Sequence, residues 1–206
     1  MNAATFWDRA APRYAARPIG NMEAYAHTLA RTQSYLSATD HMLELGCGTG
    51  GTALEHAPHV VQITATDISP AMIAIAKAKP QPQPQSNITF LAAALGDGRM
   101  PAGPFDVVTG FNILHLLPDP AAGIRDIARL VKPGGLFISK TPCLAGRYSL
   151  LKPVIGAMRL VGKAPRVHFL STAGLERAIT QAGFEIIETG DFPKSPPSHF
   201  IVARRT

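Results

Sequence analysis

Trp7, Ala11 and Tyr14 recur at intervals of four and three, the spacing that sets side chains on one face of an α-helix. Helical character is therefore predicted over about 3–37, with a second helix over 21–36. Residues 42–45 form a short apolar strand that runs into Gly-Cys-Gly-Thr-Gly-Gly, and a helix should follow near 50–57. Residues 60–66 alternate and are rich in β-formers, which predicts a second strand. Ser69 followed by Pro70 is an N-cap with proline at the first helical position, opening a helix to about Lys79. Alternating proline in 80–85 forbids helix and predicts an extended connector. Strands are predicted over 88–92, 105–111 and 135–140, with a helix from Asp119–Pro120 to near Val131 between the last two. A final helix over about 172–182 ends at Gly183, and strands over 184–190 and 199–204 close the chain across a proline-rich loop.

Strands that alternate with helices imply an α/β fold: a Rossmann-like, seven-stranded, mostly parallel sheet with helices on both faces. The last two strands have no helix between them and should pair as an antiparallel hairpin. The expected organisation is a single domain over 1–206, with a helical cap at 1–37 and a lid inserted at 141–170. With 46% hydrophobic and 17% charged residues, the composition excludes a disordered chain. Cys47 and Cys143 make no disulfide framework and suit a reducing compartment. With no apolar leader and no run of roughly 18 apolar residues, a cytoplasmic location is expected.

Candidate chemistry concentrates where the first strand ends. Glycines at 46, 48, 50 and 51 permit a tight turn and remove side chains that would keep a ligand from the backbone. Gly46, Gly48 and Gly51 also satisfy the dinucleotide spacing GxGxxG, and a turn needed only for packing is the bland alternative. Asp67 ends the second strand about twenty residues on, where an acid accepts hydrogen bonds from ribose hydroxyls. It could instead cap the next helix, but Ser69 already fills that role. Glu44 lies two residues before the first glycine, where a carboxylate would repel a pyrophosphate and suit an ammonium group. A buried carboxylate bonded to loop N–H groups is its alternative role.

At this point the chain resembles the class I S-adenosylmethionine-dependent methyltransferases, in the small-molecule branch that includes ubiquinone and menaquinone biosynthesis methyltransferases. MLELGCGTG (42–50) resembles the family's first motif, and ATDIS (65–69) with Met72 its second-strand acid and adenine-packing residues. FDVVTGFNILHLLPD (105–119) and LVKPGGLFISK (130–140) resemble the fourth and fifth strand regions, and FWDRAAPRY a helix that closes over the cofactor. The resemblance implies S-adenosyl-L-methionine as cofactor. Gly46, Cys47 and Gly48 would contact it by backbone, Glu44 would orient its amino group and Asp67 its ribose, with Ile68 and Met72 against adenine. Asn112 and Ile113 would line the methionine side, and Tyr14 and Arg17 part of the lid. One position departs from the pattern: the acid that bonds the adenine amino group in many relatives would fall near 93–95, and Asp97 is displaced from it. Adenine is therefore expected against the backbone of Ala94 and Leu95.

Methyl transfer from a sulfonium needs alignment and water exclusion above all, and a base only if the acceptor must lose a proton. His115 is the candidate base, with His168 and His199 behind it; a pocket-lining, core or solvated histidine is the alternative in each case. No cysteine–histidine cluster has metal-ligand spacing, so no metal is expected. The net charge of +6 is concentrated in the lid, at Arg147, Lys152, Arg159, Lys163 and Arg166. Leu151, Val154, Ile155, Met158 and Val161 would share an apolar face there, which Pro153 and Gly162 should interrupt. That face either covers a small apolar or amphipathic acceptor or docks on the domain. The basic stripe of 147–166 either meets an anionic lipid surface or acidic substrate or is simply solvated. Nucleic acid is not expected as a partner, since no aromatic-rich basic platform is present. The competing readings are a nicotinamide-dependent oxidoreductase, which shares the glycine loop and Asp67, and a non-catalytic nucleoside-binding protein on the same fold.

Overall fold

A computed structural model describes residues 2–80 and 87–206. Beyond Pro80, the alternating-proline connector expected at 80–85 lies outside the described residues.

Two helices, α1 (Ala3–Ala16) and α2 (Met22–Gln33), precede the sheet. Asn2 and Asn21 cap them, their side chains accepting from Thr5 N and Ala24 N, so the expected helical stretch divides at Arg17–Asn21. β1 (His41–Leu45), α3 (Gly51–His56), β2 (Gln62–Asp67), α4 (Pro70–Ala78) and β3 (Ile88–Ala92) form the first half. β4 (Phe105–Phe111), α5 (Pro120–Leu130), β5 (Val131–Pro142), α6 (Lys152–Leu160), α7 (Thr172–Gln181), β6 (Phe184–Lys194) and β7 (Pro197–Arg205) form the second.

The seven strands lie in the order β3-β2-β1-β4-β5-β7-β6. Strands β3 to β5 are parallel, while β7 runs antiparallel to both β5 and β6. Strand order reverses between β1 and β4, and that switch point is where an open α/β sheet leaves a crevice at its carboxyl edge. Gly46, Asp67 and Asn112 stand at that edge, just after or at the ends of β1, β2 and β4.

Alternation along the strands feeds two cores. Leu43, Val108, Phe137 and Ile201 pack with Ile124, Ile127, Leu175 and Ile179 of α5 and α7. Met42, Val107, Ile138 and Phe200 pack with Ala53 and Ala76 of α3 and α4 on the other face. β1 is apolar at successive positions because both faces are covered.

Three boundaries differ from expectation. β2 starts at Gln62 because Val61 N and Gln62 N bond to Asp40 O instead of the ladder. β5 begins at Val131, and Lys132–Gly135 forms an irregularity inside the strand, where pairing shifts between Phe105 and Val107. The closing hairpin is longer than its prolines suggest, with Lys194 opposite Pro197 and the ladder irregular between Asp191 and Lys194.

Candidate active site

The turn after β1 places Gly46 at φ +66° and Gly48 at +54°, a region that side chains rarely adopt. A Cβ on Gly46 would stand 2.9 Å from Ile113 Cδ1, and one on Gly48 3.5 Å from the Tyr14 ring. Gly46 thus lets the β4 loop close on the turn, while the cap helix α1 meets Gly48 at ordinary contact distance. Cys47 is buried, with its N–H donating to Thr66 O and its carbonyl accepting from Gly50 N, both at 2.9 Å. Its backbone is spent inside the loop.

Asp67 accepts from Gly48 N and Ser69 N, both at 2.9 Å. Burial pushes its pKa up, the two N–H bonds oppose this, and nearby Asp8 adds to the rise. Ser69 caps α4 through Met72 N, as expected, and its hydroxyl also donates to Asp8 at 2.6 Å. Asp8 accepts from Ala71 N too, so a carboxylate of α1 completes the α4 N-terminus and ties the cap to the Asp67 end of the crevice.

Beneath the loop, Glu44 is 3% exposed, and its Oε2 has no hydrogen-bond partner. Burial pushes its pKa up to about 8. At the third-strand position, Asp97 turns back on its own loop, accepting from Ala94 N at 2.8 Å and pairing with Arg99. That engages the Ala94 amide, leaving Leu95 as the adjoining wall residue.

Asn112 has φ of +57°, and its N–H donates to Lys140 O at 2.8 Å, extending the β4–β5 ladder before the chain turns. His115 follows on a single 3₁₀ turn (Leu114–Leu116). Its carbonyl accepts from His168 N at 2.7 Å, pinning the returning lid segment. His115 Nδ1 and His168 Nε2 are sealed without partners, and burial, then His168, holds the His115 pKa down to about 4. Its ring is therefore neutral at neutral pH.

A cavity of about 840 Å³ opens at this edge, within the range of about 300–1,000 Å³ typical of small-ligand sites. Of the sequence-predicted residues, Tyr14, Gly46, Gly48, Asp67, Ile68, Met72, Ala94, Leu95, Asn112, Ile113 and His115 stand on its wall. Glu44, Cys47 and Arg17 do not; Arg17 is the exposed C-cap of α1. Wall residues the prediction lacked include Phe6, Trp7, Arg159 and Arg166. Trp7 shares the helix face that singled out Tyr14, and their rings meet edge to face at 6.5 Å. His199 lies off the wall, with its ring nitrogens 2.8 Å from Asp191 and 2.9 Å from Glu176.

The strand order, the antiparallel β7 and the crevice with its terminal acid define a Rossmann-like methyltransferase fold. The methyltransferase domain family matches residues 15–189. A ubiquinone biosynthesis O-methyltransferase of Thiobacillus denitrificans is 32% identical over 161 residues, covering 75% of this chain and 68% of that protein. The chain spans from 51% to 76% of the length of the curated ubiquinone biosynthesis O-methyltransferases it matches. A putative methyltransferase from Bacillus halodurans superposes with a TM-score of 0.71 at 17% identity, covering 90% of this chain and 100% of that one. The N-methyltransferase NodS from Bradyrhizobium japonicum, solved with S-adenosyl-L-homocysteine, gives 0.67 at 18% identity over 89% and 86%. The chain belongs to the class I S-adenosylmethionine-dependent methyltransferases. That decides between the two readings of the glycine loop and leaves the nicotinamide alternative unsupported.

Proposed function

We propose that this protein transfers a methyl group from S-adenosylmethionine to a hydroxyl of a small acceptor with an apolar or amphipathic body. The observation that carries this reading is the continuity of the cavity. Its wall runs from Asp67, Ile68 and Met72 to His115, Leu117 and the lid without a break.

The residues fit the cofactor. The unpartnered Glu44 Oε2 suits its ammonium group, reached through the loop or a water. Asp67 keeps lone pairs for a ribose diol, Ile68 and Met72 offer an apolar adenine wall, and Leu95 offers backbone there. S-adenosylmethionine, when bound, supplies a methyl group on a sulfonium that is already a good leaving group. The chain supplies alignment and dryness: Tyr14 and Trp7 close one side, and Asn112 and Ile113 the other. In this reading His115, neutral and on the wall, accepts a hydrogen bond from the acceptor's hydroxyl and then its proton as the new carbon–oxygen bond forms. The relatives' role in ubiquinone biosynthesis supports a phenol-type acceptor.

The outer face of the lid supports a peripheral contact with anionic lipid. Leu150 and Leu160 are 83% and 90% exposed there, beside the exposed Lys152 and Lys163. Co-sedimentation with phosphatidylglycerol vesicles but not with phosphatidylcholine vesicles is expected, and equal partition would remove this part. No helix among the described residues is long and apolar enough to cross a membrane.

Calorimetric titration tests the main reading. Micromolar binding of S-adenosylhomocysteine with no heat from NADH is expected. NADH binding alone would overturn it.

A further inference from the structure

α6 ends in a cap that decides where the lid's arginines stand. Gly162 has φ of +70°, Lys163 N donates to Met158 O at 2.8 Å, and Gly162 N to Arg159 O at 3.0 Å. These paired bonds are a Schellman cap, which reverses the chain. Residues 164–167 then run back along the cavity wall until His168 N reaches the His115 carbonyl. Arg159 and Arg166 therefore line the same cavity as His115.

Neither guanidinium has an ion-pair partner among the described residues. The acids on that wall are committed elsewhere. Asp119 caps α5 by accepting from Ala122 N at 3.0 Å, Asp126 pairs with Arg129, and Asp67 lies at the nucleoside end. No Asp or Glu occurs between Asp126 and Glu176, so the lid brings no counter-charge of its own. Leu117 and Val167 add apolar wall to the same cavity. Both arginines are exposed at this wall, and a guanidinium there without an ion-pair partner matches a planar oxyanion, which it can hold through two parallel N–H bonds.

We propose that the acceptor carries a carboxylate on an apolar body, and that Arg159 and Arg166 hold this carboxylate while His115 faces the hydroxyl to be methylated. This rests on the methyl-transfer reading above and names its substrate class.

The test uses the full chain saturated with S-adenosylhomocysteine. Hydroxyphenylacetate, hydroxyphenylpropanoate and hydroxydodecanoate are titrated calorimetrically, each beside its primary amide. At least one acid should bind about tenfold or more tighter than its amide. Arg159→Gln and Arg166→Gln should each erase most of that preference while leaving amide and S-adenosylhomocysteine affinities unchanged. Lys163→Gln removes the same charge from outside the cavity wall and should leave the preference intact. The inference is overturned if no acid binds more tightly than its amide, or if Lys163→Gln weakens acid binding as much as the arginine variants do. Failure of wild-type protein to bind S-adenosylhomocysteine would instead sink the methyl-transfer reading. Normal cofactor-product binding without acid preference sinks only the substrate class.

Discussion

Glu44 should cost the free protein stability and repay it in cofactor affinity. Its carboxyl is 3% exposed with one oxygen unpartnered, and burial raises its pKa from 4.5 to about 8. A carboxyl whose folded pKa is raised contributes stability that is complete below 4.5 and lost as pH rises through 4.5 towards 8. At pH 7 the unfolded chain ionises freely while the folded one holds its proton, a difference of about 3 kcal/mol; at pH 5 it is about 1 kcal/mol. Glu44→Gln keeps the shape and removes the titration. Its stability relative to wild type should therefore rise by about 2 kcal/mol between pH 5 and pH 7, read from urea midpoints at both pH values. The same variant should bind S-adenosylhomocysteine at least about tenfold more weakly, through the lost ammonium partner. Wild-type binding at pH 7 should release up to about 0.9 proton, measured as the dependence of calorimetric enthalpy on buffer ionisation heat, and Glu44→Gln should release none. If wild type and variant lose stability in parallel from pH 5 to pH 7, the carboxyl is not held neutral by burial. If proton release is unchanged in the variant, Glu44 does not meet the ammonium.

Two further predictions concern groups that the sequence did not mark. Asp8→Ala removes the bonds to the Ser69 hydroxyl and Ala71 N that join α1 to α4, so S-adenosylhomocysteine affinity should fall about tenfold, and unchanged affinity would show that the latch is idle. His56 is fully buried with both ring nitrogens unpartnered, and burial lowers its pKa from 6.5 to about 4. For this depressed base, stability is present above 6.5 and lost as pH falls towards 4. Between pH 7.5 and 5 wild type should lose about 2 kcal/mol more than His56→Leu, since Glu44 and His115 titrate alike in both; equal losses in urea melts would refute this.

What could be read from the sequence was local. Residues 42–45 read as a strand because they are covered on both faces, and Ser69 and Asp119 announced their helices by capping chemistry. Glycines at 46 and 48 and the acid at 67 carried the crevice, since a turn at a strand's carboxyl end and an acid at the end of the next strand are both short-range signals. What could not be read depends on distance. The Asp8–Ser69 bond spans 61 residues, and nothing in FWDRAAPRY marks its one aspartate as a partner of Ser69. Periodicity gave the apolar face of α6 but not its direction: Val154 and Val161 are 56% and 66% exposed, so the face does not dock on the sheet. Prolines near the closing hairpin predicted a loop, whereas the ladder continues to Lys194 opposite Pro197, with Pro193 inside its irregular stretch.

The two ends of the cavity differ in charge, and the difference bears on the chemistry. Asp67 stands on the wall at one end with Asp8 behind it, while Arg159 and Arg166 stand at the lid end. On the proposals above, the field would draw a positively charged donor to the first end and an anionic acceptor to the second before any contact is made. Between them lie Ile113, Leu117 and Val167, with a neutral His115. Transfer of a methyl group from a cation to an oxygen nucleophile cancels or spreads charge, and such a step gains from a dry, weakly polar middle more than from further ionic groups there. An ionised carboxylate or ammonium at the His115 position would solvate the ground state that the reaction must leave. On this ground His115→Asp should depress turnover more than His115→Ala, although only the aspartate retains a basic group.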